Sequence, residues 1–260
     1  MPPFTSLFLR FAIASIALLA LAPALGARLT GGKREWKLWI ASGMLTFGVS
    51  YGVVYWVEQW VPSALASILF ATFPLFVAAM ARLLLPGETL GPRAVLGILL
   101  GFAGVGIIFS EDLRQLGGPS IALYSALMLL SPFSSALGNV LVKRYGSNIH
   151  PLTVTLIPMM IGCAIMGILA ALFERDLPRR FDAVTMGSIV YLALMGTALT
   201  FTLYFWLLSH FPATKLSLIT YGTPVVAVLL GALLLGETIT PRVLVGAATV
   251  IAGVSLAGRK

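Results

Sequence analysis

Residues 83–93 read LLLPGETLGPR, and residues 233–242 read LLLGETITPR. If Pro86 is treated as an insertion, the two stretches align as far as Gly97 and Gly246, with 9 identities in 14 positions. Each stretch places a glutamate and an arginine between two long apolar runs. Chance is a poor explanation for so close a match within 260 residues, which indicates an internal duplication.

The similarity extends well beyond these two stretches. Residues 55–109 can be aligned with residues 204–258, and residues 3–5 (PFT) align with residues 151–153 (PLT). Prolines recur at matched positions in this alignment, Pro62 with Pro212 and Pro74 with Pro224. We therefore predict two repeats, residues 1–110 and residues 119–258, each a run of helices that ends in the same hairpin.

The composition indicates an integral membrane protein. Hydrophobic residues make up 59% of the chain and charged residues 10%, whereas a soluble domain has roughly 25% charged residues. A helix needs about 20 apolar residues to cross a bilayer, and a helix satisfies its backbone polar groups internally. We predict an all-α integral membrane protein with nine spans, near residues 4–26, 38–57, 63–85, 94–110, 119–142, 151–173, 184–208, 213–235 and 241–258.

The 17 lysines and arginines predict the orientation of these spans. Cytoplasmic loops are enriched in Lys and Arg. If the loop at residues 27–37 is cytoplasmic, 11 basic residues fall inside and 5 outside, with Arg10 left within a helix. We therefore place the C-terminus in the cytoplasm and interpret the net charge of +8 as membrane topology rather than as a nucleic-acid footprint.

In this orientation the matched loops at Glu88 and Glu237 lie on opposite sides of the membrane. The two repeats are then inverted, which requires an odd number of spans in each. The second repeat has five predicted spans and the first has four. We expect the natural reading frame to continue upstream and supply the missing first helix; the alternative is a nine-span chain.

Together these motifs resemble the EamA-type permeases of the drug/metabolite transporter superfamily. The resemblance rests on the repeated LGExxTPR-like phrase, on the helices VPSALASILFATFPLFVAAM and FPATKLSLITYGTPVVAVLL, and on the AGV near the end of each half. It implies a ten-helix transporter fold of two inverted five-helix repeats, and export or facilitated passage of small metabolites. The chain departs from that family in its absent first helix.

The duplicated glutamates are predicted to stabilise their hairpins. Helices are expected to start near Pro92 and Pro241, since proline suits the first helical turn, and a carboxylate is favourable near a helix N-terminus. Each glutamate could also pair with the arginine that follows. A role in gating or proton coupling is the alternative.

Polar and aromatic residues within the predicted helices are the candidates for a substrate site. Tyr51 and Tyr55 are four residues apart and share a helix face, as do Tyr55 and Gln59. An aromatic belt at the headgroup level is the alternative for such residues. The full set predicted to bind substrate is Tyr51, Tyr55, Gln59, Asn139, Thr200, Tyr204 and Tyr221.

Four further residues have candidate roles. Ionisable residues within spans are often functional, so Arg10 and Lys215 are candidate charge contacts. Arg10 could bind a substrate carboxylate or a partner on the missing helix, and interaction with lipid headgroups is the alternative. Pro74 and Pro224 are candidate hinges, since proline weakens a helix one turn back. Passive kinking is the alternative for both prolines.

No motif supports catalysis, a metal or a cofactor. The chain has one cysteine and two histidines and lacks a phosphate-binding loop. The leading hypothesis is a multi-pass permease of the cell inner membrane, monomeric or homodimeric, that moves small organic metabolites such as amino acids by alternating access. The alternatives are a non-transporting scaffold or receptor and an intramembrane lipid-modifying enzyme.

Overall fold

The computed structural model describes residues 1–61, 63–88, 91–108, 119–178, 181–226 and 240–258. Within these ranges all regular structure is helical, and no strand is present. The predicted all-α class is confirmed for this part of the chain. The helices, in chain order, are α1 (Pro3–Leu21), α2 (Lys33–Val57), α3 (Leu65–Leu84), α4 (Pro92–Ile108), α5 (Leu123–Tyr145), α6 (Pro151–Phe173), α7 (Ala183–His210), α8 (Ala213–Ser217) and α9 (Pro241–Gly258).

Six of these helices, α1, α2, α3, α5, α6 and α7, are long and apolar enough to cross a membrane. Helices α4 and α9 are shorter and also apolar. Helical residues 219–226 follow α8, and the rest of the predicted span 213–235 lies outside the described residues. The count of nine spans therefore stays a prediction.

Proline and polar caps fix where several helices begin. Helices α4 and α9 start at Pro92 and Pro241, as predicted. Proline fits there because the first helical N–H groups have no partner within the helix. At α7 the Asp182 carboxylate accepts a hydrogen bond from the Thr185 N–H at 2.9 Å. At α6 the His150 imidazole accepts one from the Leu152 N–H at 3.3 Å.

The chain divides into two compact units. The first unit comprises residues 1–56 and 137–211. Within it α1 packs antiparallel to α6, since Glu174 at the end of α6 contacts Phe4 at the start of α1, whereas Gly167 contacts Phe8 one turn further along. The core of this unit is formed mainly by Leu7, Phe11, Ala14, Phe47, Leu152, Leu156, Met159 and Met166.

The second unit comprises residues 57–136 and 212–260. Here α4 and α9 pack antiparallel through glycines. A Cβ built on Gly97 would lie 2.5 Å from the Gly253 carbonyl oxygen, and a Cβ on Gly253 would lie 2.6 Å from the Gly97 oxygen. Gly104 and Gly246 show the same reciprocal approach, at 2.8 and 2.9 Å. Small residues therefore let the two backbones touch.

Two helices of the first unit contain π-helical turns. The π segments are Gly43–Ser50 in α2 and Leu194–Leu199 in α7. In the second segment the Thr197 hydroxyl donates to the Leu192 carbonyl, five residues back, at 2.9 Å. π turns are rare and are frequent at functional sites. If the alignment of Tyr55 with Tyr204 is continued toward the N-terminus without gaps, residues 43–50 correspond to residues 192–199, which include the second segment.

Large apolar side chains remain exposed on several helices. Ile16 on α1 and Leu172 on α6 are each 68% exposed, and Leu244 on α9 is 60% exposed. Extensive apolar exposure on a protein chain indicates a surface that contacts something other than water. Lipid chains account for it on helices of membrane-spanning length.

Candidate functional site

A buried arginine joins three helices of the first unit. Arg10 of α1 is only 8% exposed. Its Nε–H donates to the Thr197 hydroxyl at 2.6 Å, Nη1 donates to the Tyr55 hydroxyl at 2.8 Å, and Nη2 donates to the Gly196 carbonyl at 3.2 Å. The guanidinium carbon lies 5.4 Å from the centre of the Tyr51 ring. We call Arg10, Tyr51, Tyr55, Gly196 and Thr197 the arginine cluster.

Helical periodicity explains why Arg10 points into the first unit. The buried residues of α1 include Leu7, Phe11, Ala14 and Leu18. With Arg10 they form one face, because residues three or four apart lie on the same side of a helix. Arg10 therefore interrupts an otherwise apolar packed face, and its guanidinium is held by protein groups within the unit.

The hydrogen bonds of Thr197 define its orientation. Its hydroxyl hydrogen is directed at the Leu192 carbonyl, so an oxygen lone pair is left to accept from Arg10. A threonine hydroxyl has one hydrogen to donate and two lone pairs. The π segment of α7 thus supplies two acceptors to the arginine, the Thr197 oxygen and the Gly196 carbonyl.

The arginine cluster carries a positive charge without a bonded acid among the described residues. Its three bonds go to two hydroxyls and one carbonyl, all neutral. The carboxylates of Glu174 and Asp182, in the same unit, bond instead at the starts of α1 and α7. The charge of Arg10 is therefore surrounded by oriented dipoles rather than neutralised by an ion pair.

Aromatic rings extend the cluster on one side. The Tyr51 ring centre lies 5.3 Å from that of Phe11, 6.3 Å from that of Phe47 and 6.0 Å from that of Phe201. It lies 6.4 Å from the ring centre of Tyr55. These separations are typical of interacting aromatic pairs. We call the rings of Phe11, Phe47, Tyr51 and Phe201 the aromatic wall. The Arg10 guanidinium adjoins this wall through Tyr51.

Three more of the predicted site residues lie in the first unit, outside the arginine cluster. The Thr200 hydroxyl is exposed and donates to the Met195 carbonyl at 2.7 Å. Tyr204 is half-buried, and its ring meets that of Phe205 edge to face at 5.7 Å. Asn139 is a buried residue of α5. The structure therefore brings together Arg10, Tyr51 and Tyr55, whereas the described contacts of Thr200 and Tyr204 are with other residues of α7.

Two predicted site residues of the second unit differ in their surroundings. Tyr221 is fully buried, packs against Gly101 and donates its hydroxyl to the Ile98 carbonyl at 3.0 Å. These contacts tie it to α4. Gln59 is exposed in the turn after α2. Tyr221 therefore contributes to packing, whereas Gln59 lies at a helix end.

The candidate hinges also lie in the second unit. Helix α3 is interrupted at Ala71 and Thr72, and Pro74 falls in the first turn of its second segment. The helix is thus interrupted next to Pro74, and the role of Pro74 as a hinge stays a prediction. Pro224 lies in helical residues 219–226.

Glu88 stabilises a different helix from the predicted one. Its carboxylate accepts hydrogen bonds from the Ala213 and Thr214 N–H groups, at 2.8 and 3.4 Å, at the start of α8. Sequence proximity favoured α4, but the fold brings α8 to this loop. Glu88 also lines a cavity of about 160 Å³ with Thr214 and exposed Lys215. Glu237 lies outside the described residues.

Sequence reasoning missed two charged groups that cap helices. The Glu174 carboxylate accepts from the Phe4 and Thr5 N–H groups at 2.8 and 2.7 Å. Lys143 donates to the Leu208 and Phe211 carbonyls at 2.7 and 2.9 Å, at the end of α7. Their charges suit the helix dipole at each end. The partners are too distant in sequence to be identified from local patterns.

Hydrogen bonds at the start of α7 perturb the pKa of Asp182. Hydrogen bonds from the Thr185 N–H, and then from its hydroxyl, lower the pKa of the Asp182 carboxyl below its ordinary value. A carboxylate that accepts hydrogen bonds is favoured in its charged form.

Among the described residues, no three His, Cys, Asp or Glu side chains come together as they would around a metal ion.

Comparison of the sequence with known proteins identifies the family of this chain. The sequence pattern of the EamA-like transporter family matches residues 1–110 and 122–259. The chain is 30% identical over 254 residues, 92% of this chain and 76% of the relative, to "Uncharacterized inner membrane transporter YedA" of Escherichia coli strain K12. It is 27% identical over 203 residues, 74% of this chain and 66% of the relative, to "Probable amino-acid metabolite efflux pump" of Salmonella typhimurium.

A solved crystal structure has the same fold. It superposes with a TM-score of 0.85 at 20% identity, over 99% of this chain and 88% of that one. This likeness concerns the fold, whereas the class of protein follows from the family match and the six helices of membrane-spanning length. The chain is a multi-pass membrane protein that belongs to the EamA-like transporter family.

Proposed function

We propose that this protein is an inner-membrane permease that exports small organic metabolites, or facilitates their passage, by alternating access. The observation that carries the proposal is the arginine cluster, a buried polar site within membrane-spanning helices of a transporter family. Polar and charged residues inside the membrane are costly and mark substrate pathways. The relative named as an amino-acid metabolite efflux pump supports amino acids or related compounds as substrates.

Two observations support inverted repeats, residues 1–110 and 119–258. Helices α1 and α6 are matched in the sequence alignment, as are α4 and α9, and both pairs pack antiparallel. The aligned glycines also meet reciprocally, Gly97 with Gly253 and Gly104 with Gly246. Two-fold symmetry between inverted repeats would produce this pattern, and such repeats are typical of alternating-access transporters. Charge distribution supports a cytoplasmic C-terminus.

The π segments are proposed to change conformation during transport. A π turn shifts the hydrogen-bond pattern by one residue relative to an α-helix, so α-helical winding is a second pattern for the same segment. The segment Leu194–Leu199 holds both acceptors that α7 gives to Arg10. A return to α-helical winding there would move the Thr197 oxygen and the Gly196 carbonyl together. Pro74 and Pro224 remain the proposed hinges of the second unit.

The test compares the medium of cells expressing the wild-type chain with that of cells expressing a Tyr51→Phe, Tyr55→Phe, Tyr204→Phe triple variant. Mass spectrometry should detect a class of metabolite that accumulates with the wild type and accumulates less with the variant. Tyr191→Phe is the matched control, because Tyr191 lies on α7 but is 65% exposed. Media that are identical with and without the wild-type protein, at verified membrane levels, would contradict a transport function.

A further inference from the structure

The arginine cluster favours one class of substrate. We propose that Arg10 binds the carboxylate of a small monocarboxylate whose remaining atoms are mainly apolar. This inference rests on the proposed function and specifies the chemistry of the same site. Three features of the described residues carry it: unused donors on the guanidinium, a charge without an acid partner, and the adjoining aromatic wall.

The guanidinium has hydrogen-bonding capacity left over. Arginine carries five N–H donors, one on Nε and two on each Nη. Arg10 uses one donor on each nitrogen within the described structure, so Nη1 and Nη2 each keep a second N–H. Two N–H groups on adjacent Nη atoms match the two oxygens of a carboxylate, which arginine binds in bidentate fashion.

The charge of Arg10 also favours an anion. A buried charge is costly unless it is paired, and the described neighbours of Arg10 supply only neutral oxygens. A substrate carboxylate would complete an ion pair inside the membrane, where water does not compete. An amide or an alcohol of the same shape would accept hydrogen bonds from the guanidinium but would form no ion pair with it, and a protonated amine would be repelled.

The aromatic wall defines the rest of the ligand. The Tyr51 ring lies beside the guanidinium, and the rings of Phe11, Phe47 and Phe201 pack around Tyr51. An aliphatic or aromatic substituent gains free energy by contact with such rings, at roughly 25 cal/mol per Å² of apolar surface buried. A second carboxylate or a phosphate would meet this apolar surface without a described cation. A single carboxylate on an apolar body therefore fits best.

Three compounds of equal length separate carboxylate recognition from shape. We would measure calorimetric binding of 3-phenylpropionate, 3-phenylpropanamide and 3-phenylpropylamine to the full chain in lipid nanodiscs. The wild type should bind the carboxylate about 10- to 100-fold more tightly than the amide, as expected for a charged hydrogen-bonded pair. Equal affinity for the carboxylate and the amide would overturn the inference without any mutation.

Variants locate the effect at Arg10. Arg10→Gln should lose the preference for the carboxylate over the amide, and Arg10→Lys should keep part of the preference because it keeps the charge. Arg82→Gln is the control, since Arg82 is exposed at the end of α3. A preference that persists in Arg10→Gln would overturn the assignment to Arg10.

The failure of this inference can be told apart from failure of the proposed function. If the wild type changes the metabolites in the medium but prefers the amide or the amine, the carboxylate assignment is wrong and transport stands. If the wild type changes no metabolite in the medium, the proposed function is wrong. Export of apolar carboxylates by the wild type, lost in Arg10→Gln but kept in Arg82→Gln, is the result we expect.

Discussion

The contact between α4 and α9 gives a stability prediction that does not depend on substrate. We consider Gly97→Ala. The added Cβ would lie 2.5 Å from the Gly253 carbonyl oxygen and 2.7 Å from both the backbone nitrogen and the Cβ of Ala257. None of these atoms belongs to a flexible side chain, so the clash can be relieved only by moving one helix away from the other.

The size of the effect follows from these distances. Close carbon–oxygen contacts between helices are about 3.3–3.6 Å, so the helices must separate by about 1 Å at Gly97. Overpacking of this kind costs typically 1–3 kcal/mol. Gly106→Ala on the same helix is the matched control, because a Cβ built on Gly106 meets no atom within 4 Å. Alanine has the higher helix propensity, so this variant should be neutral or slightly stabilised.

The assay is reversible unfolding of the purified protein in mixed micelles, with sodium dodecyl sulfate as the denaturant and helix content as the signal. Gly97→Ala should lower the free energy of unfolding by about 1–3 kcal/mol relative to Gly106→Ala. Gly253→Ala should resemble Gly97→Ala, because the contact is reciprocal. If Gly97→Ala is as stable as Gly106→Ala, the described backbone contact between α4 and α9 is wrong.

Three further predictions concern single hydrogen-bonding groups. Glu174→Ala leaves the first N–H groups of α1 without their carboxylate and should lower the unfolding free energy by about 1–3 kcal/mol in the same assay; an unchanged midpoint would contradict the cap. Tyr221→Phe removes the bond to the Ile98 carbonyl and should cost about 1 kcal/mol, whereas a Tyr191→Phe control should cost less. The pKa of Asp182 is lowered in the folded state, so its stabilisation is present above the unfolded Asp pKa of about 3.9 and is lost as pH falls through the folded pKa. The protection of the Thr185 amide against hydrogen exchange, relative to its intrinsic rate at each pH, should therefore fall in acid in the wild type, and Asp182→Asn, which cannot titrate, should remove that pH dependence of the protection.

The membrane helices could be predicted from sequence because their signals are local. Apolar run length predicts a spanning helix wherever the run lies, and all six helices of spanning length fall within predicted runs or extend them by a few residues. Proline at a helix start is also a local signal, and it correctly predicts that α4 begins at Pro92 and α9 at Pro241. The partners of charged residues are set by packing, which explains why Glu88 was assigned to α4 but contacts α8.

The candidate site could be predicted only in part. Tyr51, Tyr55 and Tyr221 carry the same signal in sequence, a tyrosine within an apolar run. The structure places Tyr51 and Tyr55 beside Arg10, whereas the Tyr221 hydroxyl is bonded to a carbonyl of α4. Thr197 was missed because its role depends on π winding, which shifts the hydrogen-bond pattern by one residue and has no dependable sequence signature.

The cost of burying Arg10 separates a packing role from a binding role. Its three acceptors could be bonded by a neutral side chain without the desolvation penalty of a charge, which is several kcal/mol for a buried ion. If Arg10 serves to bind a carboxylate, removing its charge should cost the ligand-free protein little. We therefore expect Arg10→Gln to change the unfolding free energy without ligand by less than about 1 kcal/mol, because glutamine keeps a donor and relieves the buried charge.

The two roles are distinguished by comparing Arg10→Gln with Glu174→Ala in the same unfolding assay. Both residues are buried and both bond across the first unit. If Arg10→Gln lowers the free energy of unfolding without ligand as much as Glu174→Ala does, the role of Arg10 is to stabilise the fold. A small loss, together with a 10-fold or greater fall in carboxylate affinity, would mean that the charge is retained for the substrate.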